Sequence, residues 1–208
     1  IMSLNFEKQL ASWNEKEKLA AELMGITAEL WYDKAIELVI FRRKLVDQGV
    51  NAILKLQKRA TEIIHDDLSI QDIVEIARIL QSLELAPSKL DLGKLGHEWM
   101  KSNLPKDEFI KDTLKDFIGE EKIKLEPKDV VLFGFGRIGR LATRILVNQT
   151  GKGRQLRLRG IVIRRVDDQQ IAKRAELLRT DSVHGPFRGT IEEDYENKAL
   201  IINGQPVY

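Results

Sequence analysis

Val130-Val131-Leu132-Phe133-Gly134-Phe135-Gly136-Arg137-Ile138-Gly139-Arg140 decides how the second half of this chain is read. A short apolar run meets G-x-G-x-x-G, and the helix-forming run from Leu141 to Asn148 follows at once. Strand, glycine turn and helix in that order form the context in which this glycine pattern signifies dinucleotide binding. Gly134 takes the tight turn after the strand, Gly136 lets the backbone approach a pyrophosphate, and Gly139 lets the helix pack close to the strand. The helix N-terminus then offers free N–H groups and a partial positive charge to phosphates. Arg137 at a helix start is slightly unfavourable against the macrodipole, which argues for an anionic partner.

Working outward, Leu156–Arg164 reads as a second strand and about 169–179 as a helix capped by Asp168. Thr190-Ile191 and Ala199–Ile202 flank Asp194–Lys198 as a hairpin. A carboxylate about twenty residues past the glycines normally holds the ribose hydroxyls. Here the second strand ends in Arg164-Arg165, whose planar forks suit a 2′-phosphate, so NADP stands beside NAD as the cofactor. Asp167 and Asp168 are the competing ribose ligands, and both also fit as helix caps. The basic run Arg154-Gln155-Leu156-Arg157-Leu158-Arg159 reads as a charge-protected edge strand rather than a nucleic-acid patch.

The first half has another character. Apolar residues recur at helical spacing through Phe6, Leu10, Trp13, Leu19, Leu23, Ile26 and Leu30, and again at Ile36, Val39 and Ile40. Residues 5–65 therefore read as long amphipathic helices, with Gly25 and Gly49 as breaks. Ser69 with Asp72 predicts a capping box for a helix over about 70–83. Pro87, Gly93 and Gly96 mark 85–96 as a turn region, and Pro105 and Gly119 bracket a helix over about 106–118. Trp13, Trp31 and Trp99 are expected to pack in the core. Glu120–Lys128 is a charged linker. The expected architecture is α/β, with an all-helical domain at 1–125 and a truncated Rossmann-type domain at 126–208. Net charge is −3 over residues 1–125 and +5 over residues 126–208. Ile1 before Met2 has the look of a tag remnant.

Chain-wide features narrow the class. Hydrophobic residues make up 43% and charged residues 32%, as in an ordinary globular protein. No stretch approaches the roughly 20 apolar residues of a membrane span, so no membrane partner is expected. Cysteine is absent, which excludes disulfides and cysteine metal sites; a cytoplasmic location is the expectation. His65 and His97 are isolated from other ligand types, so no metal site is expected.

The wording Phe135-Gly136-Arg137-Ile138-Gly139-Arg140, then Thr180-Asp181-Ser182-Val183-His184-Gly185-Pro186-Phe187, then Ile201-Ile202-Asn203-Gly204, resembles glyceraldehyde-3-phosphate dehydrogenase over about residues 129–208. Residues 1–125 resemble the helical extension of long bacterial forms of that family. The resemblance implies phosphorylating oxidation of an aldehyde with NAD or NADP through a cysteine thiolate and a histidine. It implies cofactor contacts at Gly134, Phe135, Gly136, Arg137, Ile138 and Gly139, with backbone N–H groups of Arg137 and Ile138 on the pyrophosphate. Phe133 stands where the family usually has asparagine. The resemblance makes the Asp181–Gly185 loop structural and places the catalytic histidine elsewhere. With no cysteine, this chain holds no catalytic residue; it is expected to be the N-terminal portion of a longer enzyme and inactive alone. A homo-oligomer is expected from the open sheet edge and the apolar helical surface. The rival expectations are a non-catalytic nucleotide-binding regulator and a helical assembly module with an incidental Rossmann part.

Overall fold

The computed structural model describes residues 2–208; Ile1, with its reading as a tag remnant, lies outside them. The chain divides into two compact units that meet in sequence between Lys124 and Leu125. Each has its own hydrophobic core.

The first unit is not all-helical. Helix α1 (Met2–Asp33) leads into strand β1 (Ile36–Ile40) and the two-residue strand β2 (Arg43–Lys44). Helices α2 (Val50–Ile64) and α3 (Ile70–Ser82), strand β3 (Ser88–Asp91), and helices α4 (Leu92–Met100) and α5 (Lys106–Thr113) follow. The sheet order is β2-β1-β3, with β1 antiparallel to β2 and parallel to β3. The run Ile36-Glu37-Leu38-Val39-Ile40 is short and β-branched. Spacing alone does not separate such a run from a helix segment. Burial on both faces decides it, since Ile36, Leu38, Val39 and Ile40 are all buried.

Other local expectations fare unevenly. Helix α1 runs straight through Gly25, where an added Cβ would meet open space. Gly49 does mark a boundary, as N-cap of α2, and His65 ends that helix in the left-handed region. The Ser69–Asp72 capping box forms in both directions. The stretch 85–96, expected as a turn, instead holds β3 and the start of α4. Trp31 is buried, whereas Trp13 is half exposed and donates its ring N–H to Glu17 at 3.0 Å.

One carboxylate organises the sheet end. Phe41 and Arg42 both adopt positive φ in the tight turn between β1 and β2. Their N–H groups donate to Asp91 at 2.9 and 3.1 Å. Asp91 also caps α4, accepting from Gly93 and Lys94 at 3.0 and 3.2 Å. The short strand β3 thus ends where the hairpin and the next helix begin. Asp91→Ala leaves four N–H groups without their acceptor and is expected to destabilise the unit by about 2 kcal/mol or more. Urea unfolding followed by far-ultraviolet dichroism checks this; a loss within error shows that Asp91 does not hold the turn.

The second unit is a small α/β arrangement. Strand β4 (Lys128–Phe133), helix α6 (Arg137–Val147) and strand β5 (Leu156–Val162) form a parallel pair with a crossover helix. Helix α7 (Asp168–Arg179) follows, then the short antiparallel pair β6 (Thr180–Asp181) and β7 (Gly185–Pro186). The meander β8 (Ile191–Asp194), β9 (Ala199–Ile202) and β10 (Gln205–Val207) completes it. Asn203 and Gly204 turn the last hairpin with positive φ, as an Asn-Gly pair does in a type I′ turn. Tyr208 then lies along β5, donating to Arg159 O at 3.0 Å while its own carbonyl accepts from Ile161 N–H at 2.7 Å. Tyr208 thus covers β5 at Arg159–Ile161, while the two-stranded β4-β5 sheet leaves the basic run before it at an edge, as its charges suggested. Arg157 spends its charge across the pair on Asp129, 3.0 Å away.

Candidate functional site

The turn after β4 gathers the glycines. Gly134 has φ +95°, a conformation that costs any residue with a Cβ, and its N–H extends the β ladder to Val162 O at 2.8 Å. Gly139 sits in the first turn of α6, and a Cβ there would overlap the Gly134 carbonyl oxygen. Helix and turn can touch this closely only because Gly139 is glycine. Phe135 between them is buried in the core with Val147, Leu158 and Ile171, which pins the turn from below.

Gly136 differs from its neighbours. Its φ of −72° suits any L-residue, and an added Cβ would meet nothing within 4 Å. The protein's own packing therefore does not require glycine there, whereas a ligand approaching the backbone does. Gly136 is also the N-cap of α6 and brings no side-chain cap. Arg140 N–H is bonded to Gly136 O at 3.0 Å, as the helical pattern begins. The N–H groups of Arg137, Ile138 and Gly139 precede that bond and are left for an outside acceptor.

A groove of about 840 Å³ runs beside this turn. Phe133, Gly134, Phe135 and Gly136 line one part of it, and Arg164, Arg165, Gln170 and Arg174 another. The side chains of Arg137 and Ile138 are exposed and do not line it. Arg164 and Arg165 lie just past the end of β5, in the loop rather than in the strand. Asp167, not Asp168, caps α7, accepting from Gln170 N–H at 2.8 Å; Asp168 is the first residue of that helix. Arg165 Nε meets the other Asp167 oxygen at 2.7 Å. Arg174 was missed in the sequence, because one arginine in the charged helix 168–179 carries no motif. Its Nε is shielded from solvent and has no hydrogen-bond partner among the described residues.

The second motif, Thr180–Phe187, forms a structural knot. Asp181 is buried, and one of its oxygens accepts from the N–H groups of Val183 and His184 and contacts His184 Nδ1. The other oxygen accepts from Arg140 Nε at 2.7 Å. Arg144 donates to Leu178 O and Gly185 O at 2.7 and 2.9 Å and lies over the Phe187 ring. Both arginines leave α6 to hold the segment after α7. His184 is thus a partner of Asp181 in the fold. The N–H of His184, then Arg140 and the N–H of Val183, hold the Asp181 carboxyl well below the ordinary carboxylate range. A depressed native value contributes stability that is complete above the unfolded-state value of about 3.9 and fades as pH falls toward the native one. Asp181→Asn should therefore lower Tm by a constant amount above pH 4 and by progressively less below it. A Tm gap that widens on acidification contradicts the assignment.

The glycines separate fold from binding. Gly139→Ala should cost about 1–3 kcal/mol through overlap with Gly134. Gly136→Val should leave stability within about 1 kcal/mol. Yet Gly136→Val should weaken calorimetric binding of a dinucleotide at least roughly tenfold, by filling the space beside the helix terminus. Unchanged binding by the Gly136 variant removes the site from this turn.

Residues 128–208 match the family model described as the glyceraldehyde 3-phosphate dehydrogenase NAD binding domain. The chain is 38% identical over 187 residues to a glyceraldehyde-3-phosphate dehydrogenase-like protein of Pseudomonas aeruginosa (strain UCBPP-PA14), covering 88% of this chain and 41% of that protein. It is 36% identical over 81 residues to a glyceraldehyde-3-phosphate dehydrogenase of Ogataea parapolymorpha, covering 38% of this chain and 21% of that protein. The chain thus spans less than half the length of these curated relatives.

Proposed function

We propose that this chain, which is similar to a glyceraldehyde-3-phosphate dehydrogenase-like protein and whose residues 128–208 match that family's NAD binding domain, is the NAD(P)-holding part of an oxidoreductase that oxidises glyceraldehyde 3-phosphate with uptake of phosphate. The observation that carries this reading is the uncapped start of α6 facing the free space at Gly136. A diphosphate is the ligand such a terminus serves: it accepts from consecutive N–H groups and its charge meets the positive end of the helix dipole.

When bound, NAD(P) supplies the hydride acceptor; the residues here bind and orient it. Gly134 and Gly139 fix the turn, Gly136 admits the pyrophosphate, and the N–H groups of Arg137, Ile138 and Gly139 hold it. The groove continues to the loop after β5, where the arginines stand and would take the adenosine side. The Asp181 knot joins α6 to the segment after α7, so the helix that presents these N–H groups is braced through its own arginines.

Acyl transfer through a covalent intermediate needs a nucleophile such as a thiolate. The 208 residues contain no cysteine. The chain alone should therefore bind a dinucleotide and yet fail to reduce it when given glyceraldehyde 3-phosphate and phosphate. Nicotinamide absorbance rising above a protein-free blank contradicts that division of labour, and a failure to bind either dinucleotide contradicts the whole reading.

A further inference from the structure

We infer that the groove takes a 2′-phosphorylated adenosine ribose, making NADP the preferred cofactor, and that Arg164 and Arg174 hold the 2′-phosphate. This rests on the dinucleotide reading of the site and adds the identity of the adenosine half.

The argument is one of charge placement. A ribose with a free 2′-hydroxyl is recognised by a carboxylate near the end of the second strand. The groove that contains Gly134 and Gly136 has no carboxylate in its lining. Asp167 and Asp168 line an adjoining hollow with Val166, Gln169 and Lys198, and Arg165 lines both. Asp167 is further committed, with one oxygen on the Gln170 N–H and the other on Arg165.

Four arginines do line the groove: Arg140, Arg164, Arg165 and Arg174. Arg140 is neutralised by the buried Asp181, and Arg165 is paired with Asp167. Arg164 and Arg174 have no ion-pair partner among the described residues. Arg164 is exposed at the rim, while Arg174 reaches the groove from α7 with its Nε shielded and unbonded. A guanidinium stays charged at any working pH and binds phosphate oxygens through a planar fork. Two such groups, neither ion-paired and with no carboxylate in the groove's own lining, fit a dianionic phosphate and offer a neutral 2′-hydroxyl no acceptor.

Calorimetric titration of the intact protein with NADP and with NAD tests this. NADP should bind roughly tenfold or more tightly than NAD. Arg164→Ala, at an exposed position, should weaken NADP by roughly 10- to 100-fold and leave NAD nearly unchanged. Arg174→Lys keeps the charge without the fork and should weaken NADP by a smaller factor; an unchanged Tm for this variant excludes misfolding. Addition of 2′,5′-ADP should displace NADP, whereas 5′-AMP at the same concentration should not. NAD binding as tightly as NADP overturns the inference and leaves the cofactor site standing. So does selective loss of NAD in Asp167→Ala with no effect of Arg164→Ala. Binding of neither dinucleotide overturns the site itself.

Discussion

The second unit depends on the contact between the first turn of α6 and the backbone of Gly134. The two segments approach so closely that Gly139 has no room for a Cβ. That approach sets where α6 begins relative to the end of β4, and so where its free N–H groups lie. Everything functional follows from the placement. The helix dipole, the open space at Gly136 and the groove toward the end of β5 come together because a strand, a left-handed glycine and a helix are compressed into seven residues. The Asp181 knot holds the same helix through arginines that the helix itself supplies. Arg140 and Arg144 tie α6 to the Thr180–Phe187 segment through a buried carboxylate and two backbone carbonyls, and Arg144 also reaches Leu178 O in α7. Two sequence motifs of the chain are therefore one mechanical device, the first forming the glycine turn and the second bracing it.

The second unit was largely legible because its signals are local and backbone-driven. Glycines needing positive φ, an Asn-Gly turn and a strand-to-helix switch specify geometry with little help from distant residues. The helix read over about 169–179 begins one residue earlier, at Asp168, for the same reason. What the sequence concealed was pairing. Nothing in Asp167-Asp168 reveals that the first caps α7 and engages Arg165, and nothing in residues 168–179 singles out Arg174. Those facts depend on where β5 ends, two residues earlier than its composition suggested.

The first unit was read less well. The helices with strong signals, Ser69 at the start of α3 and Gly49 before α2, emerged where expected. The sheet did not, because β1 is a five-residue apolar run whose helical and strand patterns coincide. Its partner β3, Ser88-Lys89-Leu90-Asp91, is polar enough to read as a turn. Parallel pairing between them spans about fifty residues, and no local propensity encodes it. Asp91 is the residue that makes the pairing intelligible, since one carboxylate closes the hairpin and starts the next helix.

The central claim is that a dinucleotide's phosphates rest on the free N–H groups at the start of α6. Backbone amide resonances of the isotope-labelled protein, followed during titration with NAD(P), address it most directly. The account predicts the largest shifts at Gly136, Arg137, Ile138 and Gly139, with downfield movement of amide protons that acquire a charged acceptor. Saturable binding that leaves these four amides unmoved, and perturbs residues elsewhere, would contradict it.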